Sequence, residues 1–274
     1  MTIHTEAYHF CKLSVCRSAS VPMDASVGET SDALVESSHD VYAAATQGSL
    51  TSGTGKSYLA LAGRDPSMVE LWDMDAGKLA LQFGQDTSGQ SSPQTKSSGM
   101  CMALEAFTGL TREGFLHILT GYEDGSVAIW DVRNVKVPQF MKRFHQEPVL
   151  SIAVDGPCLG GVSGAADNQL IFFSINYQQS LLQIRGERTL GNPGTADISL
   201  RNDDRIVATA GWDHRVRIYD YKRSRALAIL KYHSDLVNAV CFSEDCEFLA
   251  SASKDGMVAL WSIYPPQKDD LRTI

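Results

Sequence analysis

From Val237 to Ser262, apolar and polar residues alternate with a period of two in three short runs, Val237 to Phe242, Phe248 to Ser253 and Met257 to Ser262. Polar turns separate them at Ser243 to Cys246 and Lys254 to Gly256. That period belongs to strands with one buried face, so the stretch predicts an antiparallel meander. In the second turn Asp255 offers a carboxylate to backbone amides and Gly256 tolerates positive φ, which accounts for both residue types.

The same pattern recurs upstream. "DGSVAIW" at 124, "DNQLIFF" at 167 and "DHRVRIY" at 213 align without gaps with "DGMVALW" at 255, each running from an Asp to an aromatic six residues later. A looser copy, "DPSMVELW", runs from Asp65 to Trp72. Successive aromatics, Trp72, Trp130, Phe173, Tyr219 and Trp261, lie 58, 43, 46 and 42 residues apart. That is the period of a four-stranded propeller blade. The expected fold is all-β, with about five blade units in one domain over 1–265 and a polar tail at 266–274. Segments 17–56 and 84–99, rich in Ser, Thr, Gly, Asp and Gln, break the pattern and are expected to be mobile loops.

Composition narrows the chemistry. The 274 residues carry a formal net charge of −8, against the basic footprint of a nucleic-acid binder. No stretch approaches the roughly 18 apolar residues of a membrane span, and "MTIHTEAYHFCKLSVC" has neither the charged start nor the apolar core of a secretory signal. A soluble chain that stays inside the cell is expected. Its six cysteines have no zinc-ligand spacing and are expected to be reduced and structural.

With Trp-Asp pairs at Trp72–Asp73 and Trp130–Asp131, the chain resembles a WD-repeat β-propeller. "LTGYEDGSVAIWDV", "ATAGWDHRVRIYDY", "SASKDGMVALWSIYP" and "LGNPGTADISL" narrow the likeness to the guanine nucleotide-binding protein subunit beta-like protein one family, whose fungal relative is ASTRA-associated protein one. The resemblance is dense from about Gly99 to Pro265. It implies a structural tetrad of His233, Ser251, Asp255 and Trp261, with His145 standing before Asp167 as His233 stands before Asp255. The copy ending at Phe173 lacks its Trp, and the copy ending at Tyr219 lacks its His. These groups are then braces within blades rather than catalysts. The family has about seven blades, so an incomplete ring is expected. "AYHFCKLSVC" would supply either the outer strand of the last blade or, the reading favoured here, the inner strand of the first.

Three stretches imitate enzymes. "GSLTSGTGKSYLALAG" has Leu50 where a phosphate-binding loop needs glycine, and Lys56 leads into a strand instead of a helix. "GVSGA" around Ser163 is one glycine short of a nucleophile elbow. His117 and His214 have no partner at metal or triad spacing. No enzyme activity, cofactor or metal is expected. A gamma-subunit partner is not expected either, since no heptad run exists.

Binding remains. Glu123, Ala166, Trp212 and Lys254 precede the turn aspartates Asp124, Asp167, Asp213 and Asp255, so folding alone does not demand an aromatic at Trp212. With His214 and Arg215 beside it and Tyr122 on an equivalent turn, Trp212 reads as an interface anchor or as a ring folded back over its own blade. The basic run from Arg215 to Arg225 reads as a solvated outer face or an acidic-partner patch, and Ser92-Pro93 as a phosphorylation candidate. By resemblance, the chain is a non-enzymatic scaffold in nucleus and cytoplasm. Its partners would be the TTT co-chaperone complex and ASTRA components, which support phosphatidylinositol-kinase-related kinases in the DNA damage response. The alternative is the substrate-recognition propeller of a ubiquitin ligase or chromatin-modifying complex.

Overall fold

The computed structural model describes residues 12–18, 56–84, 98–108 and 115–264, and these form nineteen strands in five antiparallel sheets. Blade one is β1 (Ser14–Ser18), β2 (Lys56–Ala62), β3 (Val69–Asp73) and β4 (Lys78–Phe83); blade two is β5 (Cys101–Thr108), β6 (Leu116–Tyr122), β7 (Ser126–Asp131) and β8 (Phe140–Arg143). Blade three is β9 (Val149–Val154), β10 (Gly160–Ala165), β11 (Gln169–Asn176) and β12 (Leu181–Thr189); blade four is β13 (Thr195–Leu200), β14 (Ile206–Gly211), β15 (Val216–Asp220) and β16 (Arg225–Leu230). Blade five has three strands among the described residues, β17 (Val237–Phe242), β18 (Phe248–Ser253) and β19 (Val258–Ser262). Each sheet is a meander whose first strand lies innermost, and the five make an incomplete propeller.

β1 is the first strand of its own blade, pairing Val15 with Leu59 and Cys16 with Tyr58. The expected loop 17–56 is corrected at both ends. Arg17 and Ser18 still pair with Ser57 and Lys56, because the ladder continues until its partner strand runs out. Residues 19–55, 85–97 with Ser92, and the tail 266–274 lie outside the described residues. No helix among the described residues is long and apolar enough to cross a membrane.

The core sits between blades. Leu71 and Phe83 of blade one pack with Ile118 and Trp130 of blade two, and Ile129 of blade two meets Phe173 of blade three. Phe172 then meets Tyr219, and Ile218 of blade four meets Leu249 of blade five. Because each blade buries its faces only against neighbours, stability is shared between adjacent pairs. The far face of blade five has no neighbour among the described residues. Val258 is 72% exposed and Leu260 68%, and the β19 edge is unpaired there.

Inner strands are edge strands whose amides lack a sheet partner, and buried amides need one. A side chain from the preceding blade supplies it at every junction. Ser14 Oγ accepts from the Ala106 amide at 2.9 Å, Glu105 Oε2 from Val154 at 2.9 Å, and Ser151 Oγ from Ile198 at 2.9 Å. At the last junction Asp197 Oδ2 accepts from Val240 at 2.8 Å and Ser199 Oγ from Phe242 at 3.2 Å.

Candidate functional site: braced blade turns and an exposed tryptophan

The second-to-third-strand turns share one end of the propeller. Each opens on an aspartate whose carboxylate caps the start of the next strand: Asp124 takes the Ser126 amide, Asp167 that of Gln169 and Asp255 that of Met257, all at 2.9 Å. Gly125 and Gly256 follow with φ of 86° and 80°, the left-handed region that glycine enters without steric penalty.

In blade five His233 Nδ1 lies 3.0 Å from Asp255, and Nε2 lies 2.8 Å from Ser251 Oγ, which accepts from Trp261 Nε1 at 2.9 Å. The four residues named from the sequence thus form one hydrogen-bonded chain. Burial alone raises the Asp255 carboxyl, but amides of Ser234 and Met257 and side chains of His233 and Ser253 outweigh it and hold its pKa at about 2. Blade three repeats the arrangement, with His145 3.1 Å from Asp167 and 2.9 Å from Ser163, and Phe173 in the tryptophan's place. A carboxylate on Nδ1 keeps the ring proton there, so Nε2 accepts from the serine hydroxyl.

This chain has the connectivity of a Ser-His-Asp triad. Accessibility decides against that chemistry: Ser163 is 0% exposed and Ser251 1%, so neither hydroxyl meets a substrate. Lys56, the other enzyme-like residue, opens β2 and lies 3.5 Å from Asp73.

Where the sequence lacks the His, in blades four and two, other groups take up the turn aspartate or the aromatic. Asp213 receives both guanidinium nitrogens of Arg217 at 2.9 and 2.5 Å, and Asn192 at 3.3 Å. Burial raises the Asp213 carboxyl, yet Arg217 and Asn192 leave it below its ordinary value. Arg217 is therefore internal, and Arg223 pairs with Asp220 at 3.5 Å, so the basic run is divided rather than a single patch. In blade two Trp130 Nε1 donates toward Thr120 Oγ1 and Tyr122 OH, each at 3.1 Å.

That last bond corrects one expectation. Tyr122 is 3% exposed: as the final residue of β6 it turns its ring inward beside Trp130, and it is no part of a partner surface. Trp212 differs. Its ring lies flat on Gly194, whose added Cβ would come within 2.1 Å of it, and its amide donates to the Gly194 carbonyl at 3.0 Å. It nevertheless remains 39% exposed, a fixed ring with one face on the blade and the rest in solvent. His214 takes the left-handed φ of 66° that glycine holds in the turns of blades two and five, and among the described residues its buried Nδ1 has no hydrogen-bond partner. The turn thus sets a residue in the left-handed region and a buried nitrogen without a partner among the described residues beside an exposed ring. Arg215 is half-buried next to it.

Gly194 has φ of 94°, so Gly194→Ala meets backbone strain and the indole together. We expect it to expel the ring and lower stability by about 2 kcal/mol. Acrylamide quenching of tryptophan fluorescence and thermal unfolding would read the two effects.

Comparison with known proteins agrees with this geometry. The family of the WD domain, G-beta repeat (WD40), matches residues 188–220 and 224–262, which cover blades four and five. Guanine nucleotide-binding protein subunit beta-like protein 1 of Mus musculus is 43% identical over 148 residues, 54% of this chain and 44% of the mouse protein. ASTRA-associated protein 1 of Schizosaccharomyces japonicus is 30% identical over 184 residues, 63% of this chain and 50% of its own length. Its Schizosaccharomyces pombe counterpart is 33% identical over 171 residues, 57% and 46% respectively. The match spans about half the length of these relatives.

Proposed function

We propose, on the premise that this is a WD-repeat chain, that it is a protein-binding scaffold without catalysis of its own, docking partners through the Trp212 turn of blade four. The observation that carries this reading is the held yet exposed indole. A large rigid ring that loses little freedom on binding is the kind of residue that dominates interface energetics, and Gly194 already fixes its orientation. The name of the fungal relatives, ASTRA-associated protein 1, supports a place for this chain with ASTRA components. The finer reading is association with the TTT co-chaperone complex, in nucleus and cytoplasm, in support of phosphatidylinositol-kinase-related kinases.

The test is affinity capture of wild type and Trp212→Ala at matched, folded expression. The reading expects wild type to bring down co-chaperone subunits and the variant to lose them at least tenfold, the effect of removing about 1.4 kcal/mol or more. Equal capture by both would move the docking surface elsewhere. Capture of a cullin adaptor instead would favour the ubiquitin-ligase alternative.

A further inference from the structure

The inner strands of the five blades, with the loops beside them, line an open pocket of about 690 Å³, and none of its lining residues belongs to the Trp212 turn. Its ionisable lining is Lys12, Glu105, Asp197, Arg201 and Asp204. Arg201 is committed elsewhere, donating to both oxygens of Asp203 at 2.9 and 2.6 Å and to the Tyr264 carbonyl at 2.7 Å. Lys222 acts on Asp204 from outside the lining, and among the described lining residues three acids thus face one cation not taken up by Asp203.

That cation is Lys12, which reaches from the lead-in to blade one across to blade four. Its Nζ lies 2.5 Å from Asp197 Oδ2, while the Lys12 side chain is two-thirds exposed. Asp197 itself is buried and fixed by the amides of Ile198 and Val240 and the Ser151 hydroxyl. A rigid buried carboxylate is therefore met by an exposed, flexible ammonium. The other two acids are short of positive charge. Glu105 spends one oxygen on the Val154 amide, and its other oxygen has no hydrogen-bond donor among the described residues. Burial raises its pKa to about 7, only partly opposed by that amide. Asp204 accepts the Gly156 amide at 2.9 Å, and burial raises it too, with Asp155 and Asp203 adding to the effect and Lys222 opposing it.

We propose that this pocket receives a lysine or arginine side chain of a partner protein, and that Lys12 stands in for that side chain while no partner is bound. The charge deficit supplies the attraction, Leu13 and Leu150 in the lining suit a methylene stem, and the stand-in displays the ligand's chemistry. The proposal rests on the scaffold reading only in taking the ligand to be a protein; its site is separate from Trp212.

Fluorescence anisotropy of the full chain with labelled Gly-Ala-Lys-Ala-Gly, and with the same peptide carrying arginine or norleucine, tests it. A competitor that fills the pocket nine-tenths of the time weakens apparent affinity about tenfold, so Lys12→Met should bind the lysine and arginine peptides ~10-fold tighter than wild type. The norleucine peptide should not bind. Glu105→Gln keeps an acceptor for the Val154 amide, so it should fold and bind the basic peptides several-fold more weakly, while Trp212→Ala should bind them as wild type does. Equal binding by wild type and Lys12→Met, or binding of norleucine as tight as lysine, overturns the proposal. Spermidine competing as well as the lysine peptide at equal concentration overturns its protein ligand in favour of a free amine.

Discussion

Replacing His145 by alanine will lower the stability of the propeller by about 3 kcal/mol, the sum of a small buried cavity and two polar groups stripped of their partner. His145 is 2% exposed and holds Asp167 on one nitrogen and Ser163 on the other. Ser163 cannot turn to solvent, being completely buried, and Phe173 gives it no donor in place of the N–H that Trp261 gives Ser251. Chemical denaturation with β10 and β11 followed by hydrogen exchange would measure the loss. A change within about 0.5 kcal/mol, the range of a neutral surface substitution, would show that the blade does not depend on its brace.

The same residue leaves a signature in pH. Burial lowers the pKa of His145 below its ordinary value, against the pull of Asp167. The unfolded chain therefore binds a proton at higher pH than the folded one. Stability from this group is fully present above the unfolded pKa of about 6.5 and declines as pH falls from there toward the depressed folded value. Buried His117 is likewise depressed by desolvation, opposed by Asp131, and acts in the same window. His145→Ala should flatten one of these two contributions. It should leave untouched the acid limb of Asp255, whose stabilisation is lost only as pH falls from about 3.9 toward about 2.

Blade architecture was legible because it is written in short-range signals. The alternation in Val237 to Ser262 located β17 and β18 to the residue and β19 within one, since turn chemistry at Asp255–Gly256 fixes where strands stop. His233, Ser251, Asp255 and Trp261 were legible from family spacing. Substituted braces were not. Arg217 read as part of a basic surface run, because nothing in "DHRVRIYDYKR" says that its side chain turns back onto Asp213. Tyr122 read as a turn residue, although β6 carries it inward and its hydroxyl meets Trp130. The bed of Trp212 had a signal, Asn192-Pro193-Gly194, eighteen residues before the indole at its last glycine, but only the folded chain brings Gly194 beneath the ring. The inner-wall acceptors Ser14, Glu105, Ser151, Asp197 and Ser199 left no trace in the pattern, since what they satisfy is the backbone of another blade.

Among those acceptors Asp197 carries the largest expected effect on a single blade. Among the described residues blade five packs against blade four on one face, while its other face shows Val258 and Leu260 to solvent, so its attachment there depends on one junction. At the inner wall that junction is the Val240 amide on Asp197 and the Phe242 amide on Ser199. Asp197→Ala removes the charge-assisted bond, strands the Val240 amide, and takes from Ser151 its acceptor and from Lys12 its counter-charge. A local loss of about 2 to 3 kcal/mol follows, which would speed hydrogen exchange in β17 to β19 about 30- to 150-fold if those strands open as a unit. Blades one and two, which do not touch Asp197 except through the Lys12 lead-in, should keep their protection. Asp197→Asn retains an oxygen for the Val240 amide and should recover part of it, whereas Ser151→Ala should loosen only the junction of blades three and four. Uniform acceleration across all five blades in Asp197→Ala would mean that the propeller opens globally; unchanged protection in β17 to β19 would mean that the apolar contact of Ile218 with Leu249 holds blade five without the wall.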